Sequence, residues 1–346
     1  MSASSSGRPM RAAVIGVGRI GELHALYYHQ DPRTQLVGVV DADPERADEV
    51  ATRLGTRAFP DAASLAAATE PEVASIATPE QHRTDPALAL ARSGTHLLLE
   101  KPLAPTMDEA AAQVRDLRAT GVTLMVNFTL RSDARYLAVR EAVRAGRLGT
   151  VRSLSARRVG TAQGAEILGP WTDLLISTAI HDLDVAGWII DAPVVRVHAE
   201  AIAGRSAEWG HEDAIAMTLR FADDSIGLME TSWVLPSTVP DLLSAGLRVV
   251  GTGGRAIIEG SNAGLTIADA DGYSHPDLIN WPVGRSGLEG SLAASIGHFL
   301  TCVLDGTPPV MSPEEALYAQ AIVVAAKRSI ATGLPAEVED PGAADA

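Results

Sequence analysis

Two rhythms of apolar and polar residues divide the chain. From Arg11 onward, short unbroken apolar runs alternate with stretches at helical spacing. The runs are Ala12-Ala13-Val14-Ile15, Gln35-Leu36-Val37-Gly38-Val39-Val40, Val73-Ala74-Ser75-Ile76-Ala77, His96-Leu97-Leu98-Leu99 and 122–126. A run without polar alternation reads as a strand covered on both faces, and such strands separated by helices build a parallel sheet. Helices are predicted over 22–28, over 86–93 with Gly94 as the stop, and over 108–119. Asp43 followed by Pro44 supplies an N-cap and first helical position for another.

Beyond Asn127-Phe128-Thr129-Leu130-Arg131, which reads as a crossing between domains, the rhythm becomes a long period of two. Ile215, Met217, Leu219 and Phe221 alternate with Ala216, Thr218 and Arg220, and Val195, Val197 and Ala199 with Arg196, His198 and Glu200. That pattern predicts a sheet with one buried face. Ala222-Asp223-Asp224-Ser225 is a hairpin turn leading into 226–234, and Gly251-Thr252-Gly253-Gly254 suits a tight hairpin better than a phosphate loop. The stretch 314–332 reads as a packing helix.

At 346 residues the chain exceeds one small core and points to two domains. Hydrophobic residues make up 46% and charged residues 21%, the balance of a soluble globular protein. A dispersed formal net charge of −15 argues against nucleic acid or an anionic membrane as partner. Cys302 is the only cysteine, so no intramolecular disulfide or cysteine-based metal cage can form. His211-Glu212-Asp213 opens a strand whose alternate residues point to opposite faces, a poor cage, and no metal site is expected. The first seven residues are small and polar, unlike a signal peptide. No apolar run reaches the roughly 18 residues of a membrane helix, and a cytoplasmic location is the expectation.

The first strand leads into Gly16-Val17-Gly18-Arg19-Ile20-Gly21 and then a helix. The first glycine makes the tight turn, the second lets backbone approach a pyrophosphate, and the third allows close helix packing. The second strand ends in Asp41, about twenty residues on, where an acid hydrogen-bonds the adenosine ribose. This carboxylate would repel a 2′-phosphate, which favours NAD; nearby Arg46 keeps NADP from being excluded. Lys101 and Lys327 are the only lysines in an arginine-rich chain. A partly buried lysine can be tuned towards neutrality, which arginine cannot. Lys101, in Glu100-Lys101-Pro102, follows the end of a strand, as do the glycine loop, Asp41 and Thr78. Ligands of open parallel sheets bind beyond these ends, so the four should share a crevice.

The glycine loop, Asp41, Ala77-Thr78-Pro79 and Glu100-Lys101-Pro102 at these separations resemble the glucose–fructose oxidoreductase / inositol dehydrogenase / MocA (Gfo/Idh/MocA) family, inositol-dehydrogenase-like, over nearly the whole chain. The resemblance implies an α/β N-terminal Rossmann domain and an α+β C-terminal domain with a large, mainly antiparallel open sheet. The boundaries are a disordered N-terminus at 1–9, the dinucleotide-binding domain at 10–126, and the substrate-binding and oligomerisation domain at 127–346. It also implies an NAD(P)-dependent oxidoreductase acting on sugars or cyclitols, with Lys101 beside the nicotinamide. The open face of the second sheet implies a homodimer or homotetramer. Members usually carry a histidine where this chain has Arg83; His82 is one position early, and no role passes to it.

On a helix, Asp173, Ser177, His181, Asp184 and Trp188 fall at spacings of four, four, three and four, and so line one face. The carboxylate of Asp184 would orient His181. Inositol-dehydrogenase-like members carry an aspartate where this chain has Ser177, and Asp173 or Asp184 is the candidate to compensate. The candidate catalytic residues are therefore Lys101, His181 and Asp184. Gly16, Gly18, Arg19, Ile20, Gly21, Asp41, Thr78, Glu100 and Lys101 are expected to bind the cofactor. Lys101, Asn127, Arg131, Trp171, Ser177 and His181 are expected to bind substrate. Two other readings stand beside the dehydrogenase: a glycosidase using NAD in an internal redox cycle, and a non-catalytic NAD- and sugar-binding sensor.

Overall fold

The computed structural model describes residues 7–240, 243–260, 264–270 and 272–342. The chain forms two compact units, the first comprising residues up to Thr129 together with Trp281–Leu317. In it, strands β1 (Met10–Ile15), β2 (Thr34–Val40), β3 (Ala58–Phe59), β4 (Val73–Ile76), β5 (His96–Glu100) and β6 (Leu124–Asn127) pair in the order β3-β2-β1-β4-β5-β6. Every pairing is parallel. Helices α1 (Arg19–Gln30), α2 (Pro44–Leu54), α3 (Ala62–Thr69), α4 (Thr84–Arg92) and α5 (Met107–Arg118) make the crossovers. The caps follow the chemistry of the sequence: Asp43 accepts from the N–H groups of Glu45 and Arg46 with Pro44 inside the first turn, and Thr106 with Glu109 closes a capping box on α5.

Residues 281–317, which the sequence reading assigned to the second domain, pack with the first. The helix Gly290–Asp305 buries Leu292, Ile296, Phe299 and Leu300 in one cluster with Ala12 and Val14 of β1, Val39 of β2 and Leu98 of β5. Its apolar stripe is legible in the sequence, but a stripe does not say which sheet it covers. Of the N-terminus expected to be disordered, residues 1–6 lie outside the described residues, and Arg8 pairs with Glu72 at 2.8 Å.

The second unit comprises Leu130–Asn280 and the chain from Tyr318. Helix α6 (Ala134–Arg144) precedes β7 (Val151–Thr161), α7 (Ala162–Leu168) and α8 (Ile180–Ile190). Strands β8 (Val194–Ile202), β9 (Ala214–Phe221), β10 (Ile226–Leu235), β11 (Leu243–Gly251) and β12 (Gly254–Ile258) follow, and the order is β12-β11-β7-β10-β9-β8 with Ala336–Glu337 at the far edge. Only β7 and β10 pair in parallel; the other pairings are antiparallel. The predicted turns hold, with Asp224 at φ 67 in one and Gly251 opposite Gly254 in the other. Along β9, Ile215, Met217, Leu219 and Phe221 are buried, as the alternation requires.

Truncating Phe299 tests which core the returning helix completes. Phe299→Ala is expected to cost about 3–5 kcal/mol, the usual range for emptying a buried phenylalanine site. Amide exchange in β1 should accelerate while that in β9 stays unchanged.

Candidate active site

The glycine loop closes the first unit at its topological switch point. Gly16 turns with φ +83, and a Cβ there would lie 2.8 Å from the Thr78 nitrogen of the β4 exit loop. A Cβ on Gly21 would stand 1.7 Å from the Gly16 oxygen, so α1 lies directly against the loop. A Cβ on Gly18 meets nothing within 4 Å, and this residue caps α1 without a side-chain hydrogen bond. Open space over Gly18, beside the unpaired N–H groups of a helix start, is the cradle a pyrophosphate needs. Arg19 stands 5.7 Å from the Trp281 ring.

Asp41, at the end of β2, also braces the loop. Its carboxylate accepts from the Val17 N–H at 2.8 Å and the Asp43 N–H at 2.9 Å. Arg46 pairs with Asp41 at 3.2 Å and with Asp43 at 3.0 Å, so its charge is already answered by two carboxylates. These residues fit NAD: a glycine cradle, and an acid held at the ribose position.

Lys101 follows β5 and is partly exposed. Behind it runs a buried polar chain within the same unit. Tyr28 Oη lies 2.8 Å from Ser75 Oγ, and Ser75 Oγ 2.8 Å from His24 Nδ1. His24 Nε2 lies 3.2 Å from Glu100 Oε1, which also accepts from Asn127 Nδ2 at 2.5 Å. Ser295 Oγ then donates to Asn127 Oδ1 at 2.6 Å. Asn127, expected as a substrate contact, is 1% exposed and holds Glu100 instead. Burial alone would raise the Glu100 carboxyl, but His24, Asn127 and the charge of Arg83 bring it below its ordinary value.

In the second unit, the segment carrying His181 departs from the expected continuous α-helix. Leu175–Ala179 forms a π-turn, and α8 begins only at Ile180. Asp173 therefore precedes the helix: it accepts from the Ile176 N–H at 2.9 Å and pairs with Lys327 at 2.6 Å. Within residues 174–190, Ser177, His181 and Gly187 keep some exposure while Asp184 and Trp188 are buried. Asp184 accepts from Arg131 Nε at 3.0 Å and Nη2 at 2.7 Å, and Arg131, 4% exposed, stacks 5.5 Å over Trp188. Asp184 was expected to orient His181 in catalysis and Arg131 to bind substrate; the structure joins the two in a buried ion pair. A second pair, Arg158 with Asp182 at 2.6 Å, anchors the next carboxylate of α8 to β7. Trp171 is 68% exposed. His82 is exposed and Arg83 buried, and Asp213 accepts from the N–H groups of Arg205 and Ser206. Among the described residues no His, Cys, Asp and Glu cluster could hold a metal, and no helix is long and apolar enough to cross a membrane.

Comparison with known proteins matches residues 10–128 to the Gfo/Idh/MocA model described as oxidoreductase family, NAD-binding Rossmann fold. Residues 140–338 match its companion, the oxidoreductase family C-terminal alpha/beta domain. The chain belongs to the Gfo/Idh/MocA oxidoreductase family. It is an NAD-dependent oxidoreductase. Scyllo-inositol 2-dehydrogenase (NAD(+)) of Bacillus subtilis is 27% identical over 337 residues, covering 95% of this chain and 96% of its own. Inositol 2-dehydrogenase of Rhizobium meliloti is 27% identical, covering 93% and 97%. The solved myo-inositol 2-dehydrogenase of Lactobacillus plantarum is 19% identical with a TM-score of 0.85, covering 96% and 100%, a likeness of fold.

For this Gfo/Idh/MocA chain, sequence reasoning missed the supporting residues His24, Ser75, Tyr28, Ser295 and Arg158. Signals existed for three of them. His24 and Tyr28 are four apart on one helix face, and Arg158 sits in phase with Leu154 and Ala156 on the buried side of β7. Since Glu100 is held below its ordinary 4.5, its contribution to stability is complete above that pH and is lost as pH falls through the native value. Glu100→Gln is expected to flatten the loss of stability below pH 4.5, read by acid titration followed by circular dichroism.

Proposed function

We propose that this oxidoreductase transfers a hydride between the nicotinamide of NAD and a secondary alcohol or ketone carbon of a sugar, cyclitol or amino-sugar. The observation that carries the reading is the position of Lys101. It follows the carboxyl end of β5, in the unit where the glycine loop, Asp41 and Thr78 follow the ends of β1, β2 and β4. Bound there, NAD supplies the hydride acceptor. Gly16, Gly18, Arg19, Ile20, Gly21, Asp41, Thr78 and Glu100 hold it.

Lys101 donates a hydrogen bond to the reacting oxygen, and His181 takes the hydroxyl proton as base or relay. Proton transfer of this kind is typically worth about 10²–10⁴ in rate. Ser177 stands at the family's usual aspartate position, and Asp173 pairs with Lys327. Asp184 and Arg131 serve by holding α8, while exposed Trp171 offers a sugar ring an apolar platform and Ser177 a hydroxyl. The protein works in the cytoplasm.

The open face of the second sheet supports assembly into a homodimer or homotetramer. It forms a shallow concavity of about 740 Å³ lined by Arg157, Leu228, Glu230, Arg248 and Ile257 among others, and Leu228 is 52% exposed. Leu228→Glu is expected to shift sedimentation towards the monomer; unchanged sedimentation would rule out this face.

NADH formation against inositols, pyranoses and aminocyclitols tests the reaction. Turnover with one substrate class should fall by about 10²-fold or more in Lys101→Ala and in His181→Ala, with NAD still bound. Tight NAD binding without turnover of any polyol by the wild type would instead favour the internal-redox glycosidase or the sensor.

A further inference from the structure

Arg83 lies between the 3₁₀ turn Glu80–His82 and α4, and it is 3% exposed. Among the described residues, its guanidinium donates to three main-chain oxygens: Thr78, Glu100 and Pro102. Two of these carbonyls flank Lys101, and the third belongs to the exit loop of β4. Glu100 is the last residue of β5, and Thr78 and Pro102 lie beyond the ends of β4 and β5, where the parallel sheet no longer provides N–H partners. Burial lowers the Arg83 pKa to about 10, against the opposing charges of Glu100 and Glu80, so the group stays charged at neutral pH.

A planar guanidinium fixes directions as well as charge. Its donors form a rigid fork, whereas a lysine ammonium is a point charge on a flexible stem and an imidazole reaches fewer acceptors. The fork therefore restrains the peptide units on both sides of Lys101 and ties them to the Thr78 loop. We propose that Arg83 is the positioning residue for Lys101, setting where the lysine ammonium points. This inference rests on the role given to Lys101 above and adds that the role depends on Arg83.

Because Lys101 and Lys327 are the only lysines, reductive ¹³C-methylation gives two lysine resonances that NMR reads without any substrate. Lys101→Arg assigns them. In Arg83→Lys and Arg83→His, each shown to bind NAD, the Lys101 resonance is expected to shift or split while that of Lys327 stays. With the polyol the wild type oxidises best, kcat should fall by about 10²-fold, the scale of a 1 Å misplacement, in both variants. The KM for NAD should change little. An unmoved Lys101 resonance in both variants overturns the proposal whatever their activity, and so does a shifted resonance with unchanged kcat. If both variants lose NAD binding, Arg83 is a folding residue and the proposal falls. A wild type that turns over no polyol would sink the functional reading, while the resonances would still decide whether Arg83 orients Lys101.

Discussion

A parallel sheet stops providing hydrogen-bond partners at the same edge for every strand. At the carboxyl ends of β1, β4 and β5 the polar groups of the main chain must be satisfied by whatever loops and side chains stand there. The first unit answers that demand three ways. The Gly16 N–H reaches across to the Val40 oxygen at 2.7 Å, the Ala77 N–H to the Ile15 oxygen at 2.8 Å, and the carbonyls around Lys101 are served by Arg83. The cofactor cradle and the lysine are thus built into the solution of a folding problem. Glu100 extends the same logic inward, since a buried carboxylate persists only where donors surround it.

The second unit relies on charge. Asp182 and Asp184 flank the turn after His181, and each is held by a buried arginine, Arg158 from β7 and Arg131 from the segment before α6. Removing one member of such a pair typically costs about 3–5 kcal/mol, because the other is left buried and alone. Pairs of this kind need not make the unit more stable than an apolar core would. They tie α8 to β7 and to the segment before α6.

How far the sequence could be read depends on the range of the forces involved. The glycine loop, the strands β1, β2, β4, β5, β6, β8, β9 and β10, and the cap at Asp43 follow from local chemistry, so periodicity and spacing located them. Asp184 and Arg131 were seen as candidates but their pairing was not, because residues far apart in the chain chose each other and the spacing of a helix face cannot show that. The π-turn at Leu175–Ala179 was invisible for a related reason: an extra residue in a turn leaves the apolar pattern intact. The buried chain from Tyr28 to Ser295 joins three strands and two helices, and its members look like ordinary polar residues until the sheet assembles them.

The first unit is written in two pieces, with the second unit between them. A chain that has left the ribosome only as far as Thr129 carries every strand of the parallel sheet but lacks Leu292, Ile296, Phe299 and Leu300 from its core. Its cofactor half stays incomplete until nearly the whole protein has been synthesised. Premature termination anywhere in the intervening 151 residues, from Leu130 to Asn280, therefore yields a fragment with an uncovered apolar face. Such a fragment is a substrate for chaperones and proteases rather than a spare dinucleotide-binding module.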